Sequence, residues 1–226
     1  MEIFAKICGI CNREDAQLCS EAGADAIGIL LRKPDKGYAR DSDRVTIEEA
    51  SKLVSSLPKN LKAICLIHET DYDETAAILK SVRPWGAQFQ KEVDQIFLTK
   101  IGYDFPDLFV IKTFHMKDDV KLNDLLVEIR LFTDAGCIDA VLLDSARGGS
   151  GKAHDWQLSK KVVQALDGIP VIVAGGLRAD NVQGMISEVQ PWGVDVMSGV
   201  TSEFKNKKSE DSVRSFLGAV RALHLD

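Results

Sequence analysis

The stretch VIVAGGLRADNVQGMISEVQPWGVDVMSGV, residues 171–200, sets the reading of the whole chain. It opens on consecutive apolar residues, Val171 to Ala174, and breaks at Gly175-Gly176. Helical spacing follows over 180–189, then a second apolar run over 193–197. Apolar runs without alternation suit strands covered on both faces, and strand–helix–strand at this length is a parallel crossover unit. Outward from there the same pattern recurs to both ends. The predicted strands are 3–7, 26–31, 62–67, 86–89, 108–113, 140–143, 171–174 and 193–197. The predicted helices are 13–22, 47–56, 73–82, 93–101, 120–133, 156–166, 180–189 and 210–223. Asn12 is a suitable N-cap for the first helix, and Thr46 with Glu49 forms a capping-box pattern for the second.

Eight units in 226 residues average about 28 residues each, which leaves no room for a second domain. The expectation is an α/β fold, a single-domain (β/α)8 TIM barrel over residues 1–226. A doubly wound open sheet is the alternative, but Cys8-Gly9-Ile10-Cys11 lacks the dinucleotide fingerprint after the first strand. Pro84-Trp85-Gly86-Ala87 and Pro191-Trp192-Gly193-Val194 each lead from a helix into a strand, which suggests a half-barrel repeat.

Hydrophobic residues make up 45% and charged residues 27%, which excludes a disordered chain and a disulfide miniprotein. The net charge of −6 offers no general basic surface for nucleic acid or an anionic membrane. No apolar run approaches a membrane span. Five cysteines, an odd number without a secretory signal, read as reduced thiols in a cytoplasm. The basic run Lys205-Asn206-Lys207-Lys208 reads as a solvated loop.

A barrel carries its chemistry at the C-terminal ends of its strands. Those positions hold Cys8, the segment from Arg32 to Arg44, His68, Gln90, Lys112 to His115, Asp144, Gly175-Gly176 and Ser198-Gly199. Glycines after the last two strands fit a phosphate cradle, although they also serve as tight turns. Gly148-Gly149-Ser150-Gly151-Lys152 is a third glycine-rich loop without Walker spacing. Asp144 at an apolar strand's mouth is a candidate general acid or a loop cap. Cys8 is a candidate base or a small core residue. The Cys8/Cys11 spacing fits neither a redox motif in this context nor a zinc site, so no metal is expected.

These residues together resemble the phosphoribosylanthranilate isomerase family of tryptophan biosynthesis. Lys6-Ile7-Cys8-Gly9-Ile10 matches its K-I-C-G opening, and Leu142-Leu143-Asp144 with the 148–152 loop and Asp155-Trp156 matches L-L-D…G-G-x-G-K-x-F-D-W. Ala174-Gly175-Gly176-Leu177 with Asn181-Val182 matches A-G-G-L…N-V, and Gly193 to Val200 matches G-V-D-V-x-S-G-V. The resemblance implies an Amadori rearrangement without metal or organic cofactor, with Cys8 as general base and Asp144 as general acid. It implies substrate binding by Arg44, Gln90, Gly149, Gly175, Gly176, Asp195, Ser198 and Gly199. Arg44 fits the family's S-P-R-x-V segment and suits an aryl carboxylate, with Arg32 and Arg40 as competitors. The expected partner is a small phosphoribosyl substrate, with no nucleic acid or membrane, for a monomer or homodimer in the cytoplasm.

The chain departs from the pattern in places. The family's Q-L-H-G reads Gln88-Phe89-Gln90-Lys91, its S-P-R proline is Asp43, its F-D-W phenylalanine is His154, and its S-G-V-E ends in Thr201. The aglycone end is therefore altered while the chemical pair is kept. Two further readings stand beside the first: a paralogue isomerising another phosphoribosyl amine, and a non-catalytic phosphosugar-binding barrel.

Overall fold

The structure, a computed structural model, describes residues 2–32, 43–116, 120–145, 156–203 and 207–222. Its strands are β1 (Phe4–Cys8), β2 (Ala26–Leu31), β3 (Arg44–Val45), β4 (Lys62–Ile67), β5 (Gly86–Phe89), β6 (Phe109–Met116), β7 (Ala140–Ser145), β8 (Val171–Val173) and β9 (Gly193–Val196). The helices are α1 (Arg13–Glu21), α2 (Ile47–Ser55), α3 (Tyr72–Val82), α4 (Gln95–Asp104), α5 (Leu122–Thr133), α6 (Trp156–Ala165), α7 (Val182–Val189) and α8 (Glu210–Arg221). All strand pairings are parallel, and β1 pairs with both β2 and β9, so the sheet closes on itself. The fold is the (β/α)8 barrel expected from the sequence.

The differences have local causes. β3 was not predicted, because two residues carry no pattern. β2 pairs with β1 as far as Cys8↔Gly28, and β3 then takes over that edge at Leu30↔Arg44. α4 starts later than expected because Asp94 caps it, accepting from the Phe97 N–H at 2.8 Å. α7 starts at Val182 because Asn181 turns its side chain back to the preceding loop. The expected caps at Asn12 and Thr46 are present, the latter as a full capping box.

Inward-facing side chains fill the barrel in layers. The base is apolar, built from Phe4, Ile64, Ile111, Leu142 and Ile172 over Trp85, Phe109 and Trp192. The middle is polar: Lys6 pairs with Asp195, and the Gln88 amide donates to Thr113 Oγ1 at 3.2 Å. The top layer, Cys8, Leu30 and Leu66 with Met197, forms the floor of the mouth.

The two Pro-Trp-Gly segments occupy equivalent places. Arg83 and Gln190, the residues before each proline, both end their helices in the left-handed conformation at φ 53°. Trp85 stacks on Phe109 and Trp192 on Phe4, each at 4.5 Å and 19°. Lys62 lies 4.5 Å over the Trp85 ring and closes the base. Trp85→Ala and Trp192→Ala should therefore destabilise alike, by about 3 kcal/mol each, the low end for a tryptophan truncation because both rings are partly exposed. Urea unfolding followed by circular dichroism measures this. Two clearly unequal losses would argue against the equivalence.

Candidate active site

The mouth at the C-terminal ends of the strands opens into a cavity of about 220 Å³. Cys8 and Asp144 line it together, with Gly175, Gly176 and Ser198 on one side and Arg44, His68 and Gln90 among its other lining residues. The thiol and the carboxyl thus face one space that the glycine loop shares. Room for the sulfur comes from the facing strand: a Cβ on Gly28 would stand 2.7 Å from Cys8 Sγ.

Beneath the pair lies a buried ion pair. Lys6 is fully buried, and its Nζ stands 2.8 Å from Asp195 Oδ1. Burial alone would lower the Lys6 pKa, but Asp195, Cys8 and Asp144 outweigh it, so the pKa ends above the usual lysine value. Asp195 lines the cavity, as a substrate-binding residue would, but one of its oxygens is committed to Lys6.

Asp144 is pushed up to about 6, first by burial and then by the Asp195 charge, while the Ser145 N–H, donating at 2.8 Å, pulls it down. A neutral carboxylic acid is therefore accessible near neutral pH. Cys8 goes the wrong way for a base. Burial pushes the thiol up to about 11; Lys6 and Lys208 lower it, and Asp195 raises it further. The thiolate that the sequence reading requires is not the resting form, because burial outweighs the attraction of Lys6 and Lys208, and Asp195 adds to it.

The β8 loop has the shape of an anion cradle. Gly175 and Gly176 take φ of 90° and 69°, values that glycine alone adopts freely. Their N–H groups donate to no acceptor among the described residues. Asn181 fixes the loop, donating to the Gly176 carbonyl at 3.0 Å and accepting from the Arg178 N–H at 2.8 Å. Ser198 opens the short 3-10 turn Ser198–Val200 on the adjoining side. Gly199 follows Ser198 and is not itself among the lining residues; a Cβ there would meet the Leu177 carbonyl oxygen at 2.0 Å, so the position admits no side chain. Gly149, with the rest of the 148–152 loop, lies outside the described residues, as do Arg40 and His154.

On the other side, β3 brings Arg44 to the mouth, where its Nη1 donates to the Leu31 carbonyl at 3.0 Å. Arg32 donates to the Arg44 carbonyl at 3.1 Å and does not line the cavity. His68 and Gln90 follow the paired ends of β4 and β5, Ile67 and Phe89. Burial, then the Arg44 charge, lowers the His68 pKa and keeps the imidazole neutral. The polar middle layer and Lys208 were missed by sequence reasoning. Lys208 is only 8% exposed, not solvated as the basic run suggested. Among the described residues no cluster of three or more His, Cys, Asp or Glu could hold a metal ion. No helix among them is long and apolar enough to cross a membrane.

Fold and cavity together define a class: a (β/α)8 barrel whose mouth joins a thiol and a protonatable carboxyl to a backbone anion cradle. A family model described as N-(5'phosphoribosyl)anthranilate (PRA) isomerase matches residues 5–219. The chain belongs to this family. It is 33% identical over 228 residues to N-(5'-phosphoribosyl)anthranilate isomerase 1 of Methanosarcina mazei, covering 96% of this chain and 94% of that one. It is similar to the structure of N-(5'-phosphoribosyl)anthranilate isomerase from Pyrococcus furiosus, with a TM-score of 0.81, 27% identity and coverage of 98% and 100%. A further similar structure is of phosphoribosyl anthranilate isomerase in complex with reduced 1-(o-carboxyphenylamino)-1-deoxyribulose 5-phosphate, with a TM-score of 0.79, 25% identity and coverage of 98% and 100%.

The Lys6–Asp195 pair gives a stability prediction. Asp195→Ala leaves a buried ammonium unpaired and should cost about 3–5 kcal/mol, whereas replacing both partners by Met and Leu should recover most of it. Denaturant melts of the three proteins measure the effect. A double variant no more stable than the single would remove the pair's electrostatic role.

Proposed function

We propose that this chain isomerises N-(5'-phosphoribosyl)anthranilate to 1-(2-carboxyphenylamino)-1-deoxyribulose 5-phosphate. The observation that carries the reading is that Cys8, Asp144 and the Gly175-Gly176 N–H groups border one cavity. The cradle holds the phosphate, which sets the sugar between thiol and carboxyl. Asp144 gives its proton to the ring oxygen as the bond from that oxygen to C1 breaks. The electrons of that bond go to the oxygen, and the aryl nitrogen lone pair forms the C1=N iminium. The Cys8 thiolate then takes the proton from C2. The C–H electrons form C1=C2, and the iminium electrons return to nitrogen. The Cys8 thiol returns a proton to C1 of the resulting enolamine while the C2 hydroxyl gives its proton to the Asp144 carboxylate, which leaves the C2 ketone and restores both groups. Arg44 faces the aryl carboxylate, and neutral His68 with Gln90 offers hydrogen bonds at the same end.

The same reading takes residues 1–226 as one domain, working in the cytoplasm as a monomer or homodimer without a cofactor. Every proton step above uses the chain's own groups.

The pH dependence follows from the two pKa values. Catalysis needs Asp144 protonated and Cys8 ionised, the reverse of the resting state. With pKa values of about 6 and about 11, only about one molecule in 10⁵ holds that combination between them, and this fraction does not change with pH. Below about pH 6 Asp144 is already protonated, and the thiolate falls tenfold per unit. With substrate generated in situ and its fluorescence loss followed, kcat/KM should be flat between about pH 6 and about pH 11 and fall tenfold per unit below about pH 6. Cys8→Ala and Asp144→Asn should each lower kcat by more than about 10³-fold, and Arg44→Ala should mainly raise KM. A wild-type protein that does not accelerate the fluorescence loss would sink the reading, and an unimpaired Cys8→Ala variant would remove the base.

A further inference from the structure

Lys208 is 8% exposed, and its place is fixed at both ends. Its backbone N–H donates to Asp15 Oδ2 at 3.0 Å, and it pairs with Thr201 in an antiparallel bridge. Its Nζ reaches over Gly9, 3.2 Å from where a Cβ on that glycine would stand, and donates to Thr201 Oγ1 at 3.4 Å. Gly9 directly follows Cys8, so the ammonium lies beside the thiol's end of β1. Among the described residues no carboxylate approaches Lys208 within ion-pair distance, whereas Lys6 has Asp195 at 2.8 Å. The resembling motif S-G-V-E carries an acid where this chain has Thr201, a neutral hydroxyl.

We infer that Lys208 is a positioning residue for the base: its fixed positive charge, which no carboxylate among the described residues meets at ion-pair distance, stabilises the Cys8 thiolate as the C2 proton is taken. The inference rests on the proposed function for its catalytic meaning but not for its electrostatics. The groups facing Cys8 are Lys6 on its own strand, Asp195 on β9 and Lys208; those facing Lys208 are Cys8, Asp43, Cys19 and Asp15. Of the two ammoniums, Lys6 gives the larger attraction, but the carboxylate beside it acts on the thiol in the opposite sense. Burial lowers the Lys208 pKa, and its carboxylate and thiol neighbours raise it.

The test is the rate at which iodoacetamide alkylates Cys8 at pH 9, read by mass spectrometry of the Cys8 peptide without substrate. Removing the charge raises the thiol pKa. Each unit then lowers the thiolate tenfold but makes it a better nucleophile, so the rate should fall about threefold per unit. Lys208→Met should fall at least threefold, Lys208→Arg should stay within twofold of wild type, and Thr201→Glu, which leaves the lysine in place and balances it, should fall like Lys208→Met. In turnover, Lys208→Met should lose at least threefold in kcat with KM within twofold. If Lys208→Met does not fold, Thr201→Glu decides. An alkylation rate unchanged in the folded Lys208→Met or Thr201→Glu protein overturns the inference, as does a Lys208→Arg protein as slow as Lys208→Met. Altered alkylation in a protein whose wild type shows no isomerase activity would leave the Lys208 assignment standing and reject the proposed function instead.

Discussion

The Lys6–Asp195 ion pair sits where the barrel closes and where its chemistry begins. The two residues are register partners in the β1–β9 ladder, so the contact that seals the sheet is also an electrostatic one. A fully buried ammonium is tolerable only with its counterion in place. The pair is close to neutral as a unit, yet its two ends act separately on the groups above. Asp195 raises both Asp144 and Cys8, which favours the acid and hinders the base. A second cation, Lys208, therefore matters at the mouth although Lys6 is already there.

The layers beneath the mouth explain how such a polar centre is held. Stacked aromatics form an apolar plug at the base, and the pseudo-equivalence of Trp85 and Trp192 places one stacked pair at each seam between the two halves of the barrel. The Gln88 amide donates to Thr113 at the level of the ion pair. Above them, Leu30, Leu66 and Met197 surround Cys8. This apolar collar supplies the desolvation that lifts the thiol, and the same burial lifts Asp144 to a useful value.

Much of this was legible in the sequence because strand ends in a barrel are also site positions. Eight apolar runs pointed to the fold, and the residues directly after them included Cys8 and Asp144. What escaped was whatever depended on chain segments meeting. β3 is two residues long, yet it carries Arg44 into the cavity. Lys208 stands in a run of basic residues that averages to solvent, and only its bridge to Thr201 and its bond to Asp15 bury it. Asp195 read as a ligand-facing acid, because sequence could not show that Lys6 across the ladder claims one of its oxygens. Gly199 matched a phosphate motif, and the Leu177 carbonyl beside it leaves no room for a side chain there. The direction of the Asp144 shift followed from burial at a strand mouth. The Cys8 shift did not follow from chemistry's needs, since burial sets its direction and the neighbouring charges only partly offset it.

A thiol that rests protonated is less of a handicap than its population implies. Reactivity of a thiolate rises by about half a logarithmic unit for each unit of pKa, so a high pKa returns part of what it removes in population. The five units between Asp144 and Cys8 then cost about 10²–10³ in rate instead of 10⁵. The remainder can be met by charge that arises during the reaction. Once Asp144 has given up its proton and the ring has opened, the iminium places a cation one carbon from the proton to be removed. That cation attracts the thiolate when the base is needed and is absent before. A neutral thiol in the empty site also avoids a third negative charge beside Asp195 and Asp144, which would raise Asp144 further and weaken it as an acid.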